Sequence, residues 1–308
     1  MCPSMYSSSL PKILILGVES LIIIIANIVT VIVFWKRRSK LKQTCLFLIN
    51  LTVADLMVGV GIIEDVVNEI WKLASTSCTT SWEKYVVLNE IFGGASISFL
   101  ALISLERLYA IMWPFRIRTT SRGKYICSIV VVWLMPALLV VAELSIPFHD
   151  VVNWVGTVYV FVCLITITGA YSVIWFFCKK SDPRLPPNRH ERNKELAKTL
   201  FIVTLLSLIT WLPFTVINTI TVTFNMRDVS VPFLTDVVRF LRLANSLINP
   251  IVYCFRMSLF RKTLREMFLK KMTTGLRVSV RQTSSETTAP VLLSISYLNV
   301  VTKTNDIL

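Results

Sequence analysis

Asp55 stands inside an apolar run from Cys45 to Ile70, where an ionisable side chain is costly and calls for a purpose. Asn27, Ser96, Asn245 and Asn249 fall at comparable depths in three other apolar runs, and Asn245 and Asn249 share a helical face. Five oxygen-bearing side chains at one depth can enclose a water-filled pocket. Such a pocket suits a small hard cation, with Asp55 supplying the compensating charge. The alternative is a hydrogen-bonded network that joins helices, with Asp55 protonated. Both readings stay open on the residues alone.

Arg107 adjoins Glu106 near the end of the third run. A neighbouring carboxylate can hold an arginine until a conformational change releases it. Otherwise the arginine is an interface residue whose head reaches the headgroups. Asn89 lies 18 residues earlier on the same helical face, about 27 Å away. In the last run Arg242 shares the face of Asn249 and points into the bundle. Asp65 and Glu69 lie nearest in angle to Asp55, Glu64 and Asn68 face elsewhere, and Glu90 adds another acid. These groups either line a ligand cavity open to the outside or pair Arg242 with Asp65, Glu69 or Glu90 to join helices. Acids outnumber bases in this zone, so the expected ligand carries a cationic or strong donor group, as a peptide can. In the sixth run Trp211-Leu212-Pro213 sets a large aromatic beside a proline that removes a backbone hydrogen bond. It is a hinge or a passive kink.

These side chains need a scaffold of membrane helices. Hydrophobic residues make up 54% of the 308, the mean hydropathy is +0.67, and the apolar residues come in blocks long enough to cross a bilayer. Seven are read: Ile13–Trp35, Cys45–Ile70, Trp82–Met112, Tyr125–Pro147, Val152–Cys178, Thr199–Phe224 and Val231–Phe255. The third overruns the hydrocarbon, which predicts tilt. The net charge of +14 does not indicate nucleic acid, because it follows topology. Lys36–Lys42, Arg116–Lys124 and Lys179–Lys198 concentrate it after the first, third and fifth spans, while the alternate connections hold little. The positive-inside rule puts the N-terminus outside and the C-terminus in the cytoplasm. The first block is too long for a cleaved signal. Of the seven cysteines only Cys2 and Cys78 fall outside the spans and their cytoplasmic ends; they form either a bond or two free thiols.

The expected fold is an all-α membrane protein, a seven-transmembrane helix bundle with an amphipathic eighth helix at 257–271 on the inner leaflet. Residues 1–11 form a short extracellular N-terminus, 12–271 the membrane domain and 272–308 a disordered cytoplasmic tail. In that tail Thr283, Ser284, Ser285, Thr287 and Thr288 surround Glu286 as candidate phosphate acceptors. Asp182-Pro183 and Pro186-Pro187 break the chain before the sixth span, which projects into the cytoplasm.

The chain resembles the rhodopsin-like G-protein-coupled receptors over all seven spans. Ala26-Asn27-Ile28-Val29 stands in the first, Asn50-Leu51-Thr52-Val53-Ala54-Asp55 in the second, and Glu106-Arg107-Leu108-Tyr109-Ala110-Ile111 at the end of the third, followed by Pro114-Phe115. Trp133 and Pro136 mark the fourth, Tyr171 the fifth, Trp211 and Pro213 the sixth, and Asn249-Pro250-Ile251-Val252-Tyr253 the seventh, with Phe255 and Phe260 after it. The resemblance implies a plasma-membrane receptor that binds an extracellular ligand and activates a heterotrimeric G protein by opening the cytoplasmic side. Arrestins, a receptor kinase and membrane lipid are implied as further partners. It implies that Glu106 restrains Arg107, that Arg107 engages the G protein, that Tyr171 and Tyr253 support the active state, and that Trp211 with Pro213 and Pro250 form the switch. Asp55, Ser96, Asn245 and Asn249 match the family's site for an allosteric sodium ion.

The departures are specific. Leu108 replaces a tyrosine, Cys163 the proline of the fifth span, and Ser207 a phenylalanine one turn before Trp211. Trp82 occupies the place of the cysteine in the family's outer disulfide, and 148–152 contain no cysteine, so that bond has no partners. The short second outer loop is loosely similar to melanocortin receptors, and Asn218 to a purine-contacting asparagine of adenosine receptors. Candidate ligand residues are Asp65, Glu69, Asn89, Glu90, Asn218 and Arg242. An enzyme is not expected: His149 and His190 are the only histidines, both placed in loops. The rival is a polytopic transporter or channel, but internal repeats and paired broken helices are absent from the sequence.

Overall fold

A computed structural model describes residues 6–41, 44–74, 87–145, 149–179, 187–224, 232–258 and 260–267. The chain forms two compact units, Met1–Phe260 and Arg261–Leu308. The first holds α1 (Tyr6–Leu41), α2 (Thr44–Ala74), α3 (Val87–Met112), the short α4 (Pro114–Thr119), α5 (Arg122–Ser145), α6 (His149–Lys179), α7 (Pro187–Thr223) and α8 (Pro232–Arg256). The seven spans are α1, α2, α3, α5, α6, α7 and α8. The described residues contain no strand. In the second unit 261–267 are helical. Cys2, Cys78, Trp82 and the tail residues 272–308 lie outside the described residues.

Two local readings need correction. The stretch between Met112 and Tyr125, read as a connection, contains α4, which Pro114 opens with a backbone angle already suited to a first helical turn. His149 and His190 lie in α6 and α7 rather than in loops. Five described helices are long and apolar enough to cross a membrane, while α7 contributes only a shorter apolar stretch, Leu205–Thr221. In α8 the charged and amide side chains lower the hydropathy, but Arg242, Asn245 and Asn249 are buried while Leu234, Val237, Phe240, Ile251 and Phe255 face outward. α7 has 37 residues, about 55 Å at the α-helical rise, well beyond a hydrocarbon core of about 30 Å.

The burial pattern is that of a protein in lipid. α1 turns Leu14, Ile15, Val18, Leu21, Ile22 and Ile25 outward, and α5 buries little besides Tyr125, Pro136 and Val140. In water an apolar surface of that extent would associate; in hydrocarbon it costs nothing. The interior instead collects Glu19, Asn27, Asp55, Asp65, Asn89, Ser96, Arg242, Asn245 and Asn249. α3 packs against α2, α5 and α6, while α8 packs against α1, α2 and α7. Gly94 permits close approach of α3 and α5, since a Cβ there would lie 2.9 Å from the Cβ of Pro136. Where Cys163 replaces a proline in α6, the Ser98 hydroxyl on α3 meets both Tyr159 Oη and the Cys163 thiol.

Candidate functional site

The central cluster forms around Asp55, which α2 buries completely. Ser96 Oγ of α3 donates to Asp55 Oδ1 at 2.6 Å, and Asn249 Nδ2 of α8 donates to Oδ2 at 2.8 Å. One carboxylate thus joins three helices. Asn27 does not reach it. Pro250 lacks an N–H, which frees the Ser246 carbonyl one turn earlier, and Asn27 Nδ2 fills that vacancy at 3.1 Å. Asn245 turns to α7 instead, its Oδ1 accepting from Thr210 Oγ1 at 3.3 Å. Of the five residues read from depth alone, Asp55, Ser96 and Asn249 come together, Ser246 joins them at the Asp55 carboxylate, and Asn27 and Asn245 are committed elsewhere.

At the inner end of α3, Arg107 Nε lies 3.4 Å from Glu106 Oε2. Tyr171 and Tyr253 are buried. Tyr253 packs edge-on against Phe34 at 5.3 Å between centroids, and Phe260 completes the group. Trp211 is buried in α7 two residues before Pro213, and a Cβ on Gly93 would come within 3.6 Å of its ring.

Of the three acids read as partners for Arg242, the structure pairs it with Glu90. Arg242 Nη1 donates to Glu90 Oε1 at 2.9 Å, not to Asp65 or Glu69. Asp65 Oδ2 takes two donors, Asn89 Nδ2 at 2.8 Å and Arg239 Nη2 at 2.7 Å. Glu69 meets Lys12 at 3.9 Å, and Lys12 lies closer to Asp236, at 2.8 Å. Asn218 Nδ2 donates to Thr157 Oγ1 at 3.1 Å, linking α7 to α6. The Arg242 guanidinium also lies over two rings of α7, with Cζ 4.2 Å from the Phe214 centroid and 5.9 Å from Trp211.

Sequence reasoning missed Arg239 and Glu19. Arg239 was detectable as a second arginine one turn outward of Arg242. Glu19 was visible as the lone acid of the first apolar run. It is buried beside the seam of Leu16, Ile23, Val58, Ile62 and Leu243, and neither carboxylate oxygen has a hydrogen-bond partner among the described residues.

The family model for seven-transmembrane receptors of the rhodopsin family matches residues 26–153 and 144–253. A QRFP-like peptide receptor of Branchiostoma floridae is 23% identical over 87% of this chain and 77% of its own length. An alpha-2Da adrenergic receptor of Danio rerio is 32% identical over 45% of this chain, a match spanning 34% of that receptor. Somatostatin receptor type 5 of Rattus norvegicus is 24% identical over 78% of this chain and 73% of its length. Squid rhodopsin superposes with a TM-score of 0.71 at 17% identity, over 86% of this chain and 87% of that one, a likeness of fold. The relatives named are receptors, and none is a transporter, a channel or an enzyme.

Proposed function

The chain belongs to the rhodopsin family of seven-transmembrane receptors, and from that premise we propose that it binds an extracellular ligand, a peptide or small polar molecule, in the outer half of its bundle and activates heterotrimeric G proteins by opening the cytoplasmic half. The observation that carries this reading is the buried carboxylate of Asp55, held at once by Ser96 of α3 and Asn249 of α8. A wholly buried acid joining three helices makes their relative positions interdependent, as a two-state bundle requires.

The steps follow from the geometry. The ligand meets the outer groups Asp65, Glu69, Asn89, Glu90, Asn218 and Arg242. Arg242 lies over Trp211, so a change in its partner is felt by the indole two residues before the Pro213 hinge. Displacement of α7 then acts on α8 through Thr210 and Asn245, and on the segment of Asn249, Pro250 and Tyr253. At the inner end Arg107 leaves Glu106 and engages the G protein, with Tyr171 and Tyr253 supporting the opened form. The N-terminus is extracellular and the C-terminus cytoplasmic, in the plasma membrane.

The central donor set suits an allosteric sodium ion. Its groups are hard oxygens, Asn249 Oδ1 is buried without a partner, and Asp55 has no ion-pair partner among the described residues. Asp55, Ser96 and Asn249 would hold the ion, joined by Asn245 once its Oδ1 leaves Thr210, and the ion when bound would supply a positive charge opposite Asp55. Arrestins and a receptor kinase are proposed as later partners of the tail, and inner-leaflet lipid as that of the eighth helix.

The deciding experiment is guanine-nucleotide exchange on a panel of G proteins in membranes carrying the protein. Exchange above that of control membranes, lost in Arg107→Ala at equal surface expression, supports the reading. Undiminished exchange in Arg107→Ala overturns it, and solute-coupled flux without exchange would favour a transporter.

A further inference from the structure

Arg242 and Glu90 are unequal partners. The arginine side chain is 5% exposed and the glutamate side chain 39%. The guanidinium is also packed against Phe214 and Trp211, so it cannot follow its partner toward water. Glu90 reaches it through one oxygen on Nη1, while the Nε–H is buried with no acceptor among the described residues. Guanidinium groups favour carboxylates through two parallel N–H groups, and here only one such bond is made. The neighbouring Trp211 Nε1–H is likewise buried without an acceptor among the described residues.

We propose that Arg242 is the seat for a carboxylate on the ligand, that Glu90 occupies that seat in the resting protein, and that the ligand's carboxylate displaces Glu90 by engaging the Nε edge of the guanidinium. This rests on the receptor reading above and gives its ligand a chemical class. Glu90 already borders solvent and loses little by rehydrating. Arg242 cannot stand without an anion, because an uncompensated buried cation is far costlier than a hydrated surface carboxylate. The same asymmetry disfavours a cationic ligand group on Glu90, which would strip Arg242 of its one ion-pair partner among the described residues. Around this pair Asp65 takes Arg239 while Glu69 and Asp236 share Lys12, which leaves three acids against two bases. A ligand with a deep carboxylate and an outer cationic group, such as a peptide with a free C-terminus, meets both requirements.

Benzoate and benzamide, matched in shape and differing in charge, are suitable probes. Thermal unfolding of the full chain in lipid nanodiscs is followed with each. Benzoate should raise the wild-type midpoint and benzamide should not. Glu90→Gln vacates the arginine and should respond at benzoate concentrations about tenfold lower, the factor for one competing charge-assisted hydrogen bond. Arg242→Gln should not respond. If Glu90→Gln fails to fold, benzoate during expression should restore folded protein, and Glu90→Gln/Arg242→Gln should fold without it. A benzoate response that survives Arg242→Gln overturns the proposal, as does the lack of any response or rescue in Glu90→Gln. Equal sensitivity of wild type and Glu90→Gln removes Glu90 from the role assigned to it. No readout involves a G protein, so nucleotide exchange still tests the receptor reading separately.

Discussion

Replacing Asp65 with alanine should destabilise the bundle mainly through Asn89, although the residue's ion pair is with Arg239. Asp65 Oδ2 accepts from both, at 2.8 Å and 2.7 Å. The Arg239 side chain is 26% exposed, so it can turn outward and hydrate, at a cost of about 1 kcal/mol or less. Asn89 is 1% exposed and its Oδ1 already lacks a partner. Loss of Asp65 strands its amide N–H groups as well, and a buried polar group left unsatisfied costs about 1–3 kcal/mol. The expected total is about 1–4 kcal/mol, from the sum of those terms. A double-mutant cycle in nanodiscs, read by thermal unfolding, separates the two partners. Asp65→Ala/Asn89→Leu should recover most of the loss, because it removes both ends of the bond. Asp65→Ala/Arg239→Leu should recover little. If the arginine double variant recovers more than the asparagine one, the accounting is wrong, and the ion pair dominates the stability of this zone.

Glu106→Gln should raise basal nucleotide exchange, since the 3.4 Å contact with Arg107 Nε loses its charge; unchanged basal exchange would show that the contact does not restrain the arginine. Sodium should lower basal exchange in the wild type, and Asp55→Asn should abolish that dependence while keeping one oxygen for Ser96 or Asn249; a mutant with the wild-type sodium response would make the cluster structural. Gly61→Ala should lose about 1–3 kcal/mol, the usual cost of overpacking, because a Cβ there runs into the Asn89 carboxamide; it should also weaken the bond from Asn89 to Asp65, and an unaltered melting midpoint would mean that Asn89 can move freely aside.

The sequence by itself determined the class, the number of spans and where polar side chains interrupt them. An apolar run interrupted by one acid or amide is legible because lipid cannot hydrate such a group, and a period of 3.6 residues tells which face it occupies. Asp55, Ser96 and Asn249 were found in this way, and the structure joins all three. Hydropathy alone was weaker for α8, whose polar residues face inward where a hydropathy average cannot register direction. Pairing was decided only in the tertiary structure. The sequence left Asp65, Glu69 and Glu90 open as partners of Arg242; the structure gives it Glu90, while Arg239 takes Asp65. Arginines one turn apart on α8 can both swing toward the same acids, so the choice depends on the height of α8 against α2 and α3 and on the rings of Phe214 and Trp211 beneath Arg242. Asn27 and Asn245 lie near the depth of Asp55 but are drawn away by the carbonyl that Pro250 leaves free and by Thr210 on α7. Glu19 marks the same boundary: its position in the first span is plain in the sequence, but its lack of any hydrogen-bond partner among the described residues depends on which side chains of other helices stand opposite it.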